Sequence, residues 1–199
     1  FYEANSIEDA VLILISRVNR DGYLKPTIKV QLTLQDSSTE TYQWQGTIDE
    51  PLPRPTLAKE VKFEIERGIF YYYDTITFRG LWSENKDDAE AFFVEQGALV
   101  KLRQTRTFTE SGLNRGLASL TEVLHRKGYD EAEASVAELH QDDETGAVNV
   151  TIAVKEGSKF KVRSIRTEMT YAGKPSEFST ITTNVTYSRL WQQDFAQAL

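Results

Sequence analysis

A helix that stops on Gly-Tyr and is followed by an alternating strand occurs twice in this chain, and that recurrence restricts the fold more than any other feature. In the better-preserved copy, Leu113, Leu117, Leu120 and Leu124 recur at steps of four, three and four, which puts them on one face of a helix. Lys127-Gly128-Tyr129 follows. Glycine takes without steric cost the left-handed conformation that commonly ends a helix. Arg126 and Lys127 suit the negative end of the helix dipole. Next, Ala132, Ala134 and Val136 alternate with Glu131, Glu133 and Ser135, the period of a half-buried strand across Asp130 to Ala137. Gln141 to Gly146 reads as a hairpin loop, and Val148, Val150, Ile152 and Val154 as the inward side of the return strand. The junction stands 106 positions earlier at Gly22-Tyr23. At that offset Ile7, Val11, Leu14 and Val18 fall on the four leucines, so the helix face recurs with the glycine. Asn5 or Ser6 is its expected cap, and Ile28, Val30 and Leu32 define the strand after it.

Two further offsets extend the repeat. Val61 to Ile76 overlays Val150 to Ile165 at 89 positions, with Gly68 on Gly157. Tyr71, Tyr73 and Ile76 match Phe160, Val162 and Ile165, and the step of two then three predicts a bulge in both strands. Thr186-Tyr187-Ser188 lies 79 positions after Thr107-Phe108-Thr109, the predicted cap of the helix that carries the leucines. A shorter helix is expected over Asn85 to Gln96, ended by Gly97. Between the strands of the first copy, Gln35 to Glu60 reads as an irregular insertion. It holds an added strand near Thr41 to Trp44 and a run set by Pro51, Pro53 and Pro55, with regular structure resuming at Val61. One unit therefore reads strand, helix, helix, strand, strand. The expected division is 1–69, a partial unit without its opening strand and first helix; 70–157, a complete unit; and 158–199, the start of a third. The predicted class is α+β, each unit a small mixed three-stranded sheet covered by two helices. The chain reads as a piece of a longer protein.

Charge and composition narrow the function. A net charge of −7 argues against a nucleic-acid partner, which would meet a basic face, and against an anionic membrane surface. No apolar run approaches the roughly 20 residues of a membrane helix. With no cysteine there are no disulfides, thiol chemistry or thiolate-bound metal. No catalytic set emerges. His125 and His140, the only histidines, lack a metal-spaced partner and read as solvated surface groups. Asp142, Asp143 and Glu144 lack the alternation of a calcium loop and fit a hairpin turn. No phosphate-binding glycine loop occurs. The sequence thus predicts no enzyme, no metal and no cofactor.

The order strand-helix-helix-strand-strand resembles the POTRA (polypeptide-transport-associated) family. Leu124 to Ala132 is similar to the family's helix–Gly–Tyr–strand junction, and Val154-Lys155-Glu156-Gly157 through Val162 to its last strand, acidic-Gly turn and next opening strand. Ile65-Glu66-Arg67-Gly68 through Gly80 repeats that second junction. The resemblance implies tandem periplasmic domains ahead of an outer-membrane β-barrel, as in assembly proteins of the BamA/TamA type (surface antigen family) or two-partner secretion transporters. Implied partners are unfolded outer-membrane proteins or periplasmic accessory proteins, with the barrel downstream in the same chain.

In that family the first strand of the final hairpin is an exposed edge, to which an extended client adds as a strand. Here the resemblance assigns it to Thr27, Ile28, Lys29, Val30, Gln31 and Leu32, and to Glu131, Ala132, Glu133, Ala134, Ser135 and Val136. Their apolar side chains are expected to close small cores; the binding expectation concerns the backbone, and a covered edge removes it. Trp44 is weighed as a loop anchor for a partner against a cap on its own domain. Of Tyr71-Tyr72-Tyr73, two rings are expected inside and one outside. A different function class is a structural, cell-division or adhesion scaffold with no client handling. Many alternating strands further along the full protein would favour the barrel reading, and a single membrane helix the scaffold.

Overall fold

A computed structural model describes residues 1–94, 102–170, 172–188, 191–193 and 195. The fold is α+β, and the described residues form a four-stranded, a three-stranded and a two-stranded sheet. Two compact units divide the chain: Phe1–Ile76 with Phe93–Asn114 and Leu139–Val150, and Thr77–Phe92 with Arg115–Glu138 and Thr151–Leu199.

In the first unit, β1 (Tyr2–Glu3) leads into helix α1 (Ala4–Arg20), followed by β2 (Thr27–Leu34), β3 (Thr39–Gln45) and β4 (Leu57–Glu66). The strands lie in the order β1-β4-β2-β3, all pairs antiparallel. The helix face lands where the periodicity predicts: Ile7, Val11, Ile15 and Val18 are buried. They face a core with Ile28, Val30 and Leu32, all at 0% exposure. Alternation along β2 sends Lys29 and Gln31 outward.

The insertion is more ordered than its composition suggests. Regular structure resumes at Leu57, four residues before Val61, because Ala58 packs into this core and extends the strand. The proline segment is tied to α1 through Glu8. Its Oε1 accepts the Leu52 N–H at 2.6 Å, and the Arg54 guanidinium forks onto its two oxygens at 2.9 and 2.6 Å. Asn5 also serves Arg54, through Oδ1 at 2.9 Å, and does not cap α1.

The three-stranded sheet has β5 (Tyr72–Arg79), β7 (Ala147–Lys155) and β6 (Glu133–Gln141), in that order. Helix α2 (Lys86–Glu90) lies where the shorter helix is expected, with Asn85 as its cap, but is only five residues long. The expected end at Gln96-Gly97 lies outside the described residues. Helix α3 (Glu110–Arg126) is capped by Thr109, whose Oγ1 accepts the Gly112 N–H at 2.9 Å. Leu113, Leu120 and Leu124 are buried, as are Val148, Val150, Ile152 and Val154. All three tyrosines 71–73 are buried, correcting the expectation of one outward ring. The outward member, Tyr72, is covered by the Arg103 guanidinium, 4.7 Å from its ring centre.

The two-stranded sheet is an antiparallel pair, β8 (Lys161–Met169) with β9 (Glu177–Thr186). Its register slips between Val162 and Ser164, a bulge at the place the two-then-three step predicts.

Candidate functional site

The candidate site is a sheet edge, so what matters is which backbone groups already have partners. From Thr27 to Thr33, every β2 residue has a partner in β3 on one side and in β4 on the other. Thr27 to Leu32 therefore lie inside the sheet, and the expected edge there is covered. The cause is the insertion: Thr39–Gln45 folds back along β2 from Thr33↔Thr39 to Thr27↔Gln45 and becomes the outer strand. Trp44 belongs to that strand and is 3% exposed. Its Nε1–H donates to the Glu50 carbonyl at 2.8 Å, and its ring stacks on Tyr42 with centres 6.1 Å apart. It caps its own core and is not a loop anchor. The exposed tryptophan is Trp82, at 86%. Its backbone is held: the Trp82 and Ser83 N–H groups each donate to Glu156 Oε1 at 2.7 Å. A tryptophan two residues after the turn glycine Gly80 was the available sequence signal for it.

The second predicted edge is outermost. In the order β5-β7-β6, β6 has a strand neighbour on one side only among the described residues. Glu133, Ala134, Ser135 and Val136 lie in it, whereas Glu131 and Ala132 belong to the turn before it. The strand starts three residues later than the alternation suggests because the turn closes through an Ala132 N–H to Tyr129 carbonyl bond of 3.0 Å. Ala132 is buried and Ala134 half-buried, but Val136 is 37% exposed, against the expectation of an inward side chain. Leu139 is also exposed. An outermost strand has cover on one flank alone, so its apolar side chains are only partly enclosed.

Three contacts set where β6 begins. His125 Nε2 lies 3.0 Å from the Ala132 carbonyl, where its N–H donates; this histidine is half-buried and bonded, not solvated. Lys127 pairs with Glu84. The third contact is the Gly128 joint. Tyr129 N–H reaches back to the Leu124 carbonyl at 3.1 Å, which closes the helix end, and Gly128 takes φ +97°.

The joint also carries hydrogen bonds that recur in register with the sequence repeat. In the first unit, Tyr71 N–H donates to the Gly22 carbonyl at 2.8 Å and Phe108 N–H to the Tyr71 carbonyl at 3.0 Å. In the second, Phe160 N–H donates to the Gly128 carbonyl at 2.8 Å and Tyr187 N–H to the Phe160 carbonyl at 3.0 Å. A Cβ at Gly22 would stand 2.7 Å from Thr107 Cγ2, and one at Gly128 would overlap Thr186 Cγ2. Each glycine is therefore required twice, by its φ and by the threonine methyl against it.

The far end of β6 enters a tight turn. Asp142 N–H donates to the Ala147 carbonyl at 2.9 Å, and the Asp142 carboxylate accepts from Thr145 Oγ1 and the Glu144 N–H at 2.6 and 2.8 Å. These bonds, the Thr145 hydroxyl first, hold its carboxyl below the usual range. Asp143 pairs with Lys25 and accepts from the Tyr71 hydroxyl at 2.7 Å, so its carboxyl is lowered, chiefly by the lysine. Burial first, and Asp143 second, push the Tyr71 hydroxyl up to about 12. Among the described residues no group of His, Cys, Asp or Glu is arranged to hold a metal, and no helix is long and apolar enough to cross a membrane.

No curated protein matches the chain. A crystal structure of Haemophilus influenzae BamA POTRA3-5 is similar at 19% identity and a TM-score of 0.39, over 79% of this chain and 53% of that one, about half its length. Residues 71–157 match the POTRA family, described as surface antigen variable number repeat. The matched segment contains β5, β6 and β7.

Proposed function

We propose that this chain is a periplasmic arm of an outer-membrane β-barrel protein, built from POTRA repeats at 1–69, 70–157 and 158–199. It receives unfolded outer-membrane proteins or accessory proteins by strand addition, and it acts by binding, not catalysis. The observation that carries the reading is the position of β6 as the outermost strand of the sheet in the POTRA domain. An edge strand presents alternate N–H and C=O groups outward, so nine residues offer about four to five positions for main-chain pairing. Each such bond contributes roughly 1 kcal/mol net. After the cost of immobilising an extended client, binding is weak and reversible, which suits a handler that must release its cargo. Main-chain pairing tolerates many client sequences. Of the two predicted edges, only β6 serves as the receiving edge in this reading, since β2 is covered.

The test is an NMR titration of the 199-residue chain with peptides from unfolded barrel strands. Amide shifts should concentrate on Glu133–Gln141. Shifts confined to α1 and α3, with β6 silent, would sink the proposal.

A further inference from the structure

The edge is not electrically neutral, and its charge names a class of client. The chain holds 30 acidic and 23 basic residues. Seven of the acidic ones fall between Asp130 and Gly146, a stretch with no lysine or arginine. Removing those seven from the 30 leaves 23, equal to the number of basic residues. The whole net charge of −7 is thus matched by one segment, and that segment is β6 with its two flanks. Glu131 and Glu133 stand exposed at the start of the strand and Glu144 beyond its end. Of the seven, Glu138 pairs with Arg79 at 2.8 Å, Asp143 pairs with Lys25, and Asp130 is also partnered. Val136 and Leu139, an odd number of residues apart, present exposed apolar surface on opposite faces of the strand.

We infer that β6 selects extended segments in which apolar residues alternate with lysine or arginine, and disfavours acidic ones. The inference rests on β6 being the receiving edge. Backbone pairing supplies affinity without regard to sequence, whereas like charges brought alongside the strand are penalised and opposite charges favoured. Exposed carboxylates each contribute little, so selectivity arises from several acting together and is screened by salt.

Three acetylated peptides matched to the nine residues of β6 test this, with valine at every second position and lysine, glutamine or glutamate between. A fourth is the lysine peptide N-methylated at every residue, which removes the N–H donors from both of its edges. Affinities are read by fluorescence anisotropy against the whole chain. The lysine peptide should bind roughly tenfold tighter than the glutamate peptide at low salt, the glutamine peptide lying between, and the gap should close to about twofold near 0.5 M salt. A chain carrying Glu131→Gln, Glu133→Gln and Glu144→Gln leaves both ion pairs in place and should lose most of the gap. N-methylation should abolish binding. Equal affinity of the three peptides, with binding of the lysine peptide lost on methylation, would overturn the charge selectivity and leave the receiving edge standing. Undiminished binding of the methylated lysine peptide, or no binding by any peptide, would overturn the receiving edge and the selectivity with it. Should the triple variant fail to fold, the salt dependence of the native chain decides.

Discussion

At the residue scale, burial separates side chains that look alike in sequence. Trp44 sits in a polar stretch and Trp82 two residues after a glycine, yet the first is enclosed and the second exposed. A local pattern could not show that Thr39–Gln45 would fold back on β2 and carry Trp44 onto the core. Glu8 is a second case. It stands on α1 next to Asp9, with nothing nearby in sequence to mark it, and its partners Leu52 and Arg54 lie 44 and 46 residues away. The Arg54 hydrogen bond, and after it the Leu52 N–H, hold its carboxyl below the usual value of 4.5, against the opposing effect of burial. Because the pKa falls on folding, the contribution is complete above 4.5 and is lost as pH drops through the lower folded value. Glu8→Gln should cost about 1–2 kcal/mol at neutral pH. In acid denaturation followed by circular dichroism, the variant should show a weaker loss of stability below pH 4.5 than the native chain.

At the element scale, the joint at Gly22 and Gly128 links helix end, next opening strand and next helix start through the same two backbone bonds in each copy. Alanine at either glycine forces a left-handed residue, a penalty of about 1–2 kcal/mol, and drives its methyl into a threonine methyl. Gly128→Ala should therefore lower stability by more than about 2 kcal/mol in urea unfolding. Thr186→Ser should recover the part due to the clash and none of the backbone part, a coupling visible in a double-mutant cycle. Full recovery would mean that φ carries no cost here. The recurrence of the joint was legible because it is written in glycines and offsets. The partner of each glycine was not, since Thr107 lies 85 residues from Gly22.

At the scale of the molecule, the first sheet encloses its own core. Every buried member of that cluster, from Ala4 to Ala58, lies within residues 1–69. The proposed boundary there predicts that residues 1–69 fold alone. The fragment should give a helix–strand circular dichroism spectrum and a cooperative thermal transition, with modest stability as expected for so short a chain. A featureless melt would place the boundary elsewhere. The compact units themselves interleave along the chain, each built from three separate segments, so neither can be cut out as one continuous piece.

Order along the chain was determined by the sequence alone. Helices at period 3.6, strands at period two, Gly-Tyr stops and the bulge at Val162 are local consequences of backbone sterics and of the need to hide one face. The repeat, and with it the resemblance that the match over residues 71–157 bears out, follows from those local signals. Which strand would stand at an edge was decided only by tertiary structure. Edge status depends on pairing between residues far apart, and the same alternating pattern serves an inner strand and an outer one. Thr27–Leu34 and Glu133–Gln141 are two strands of similar pattern in sequence; β3 closes the first, and among the described residues β6 remains outermost in its sheet.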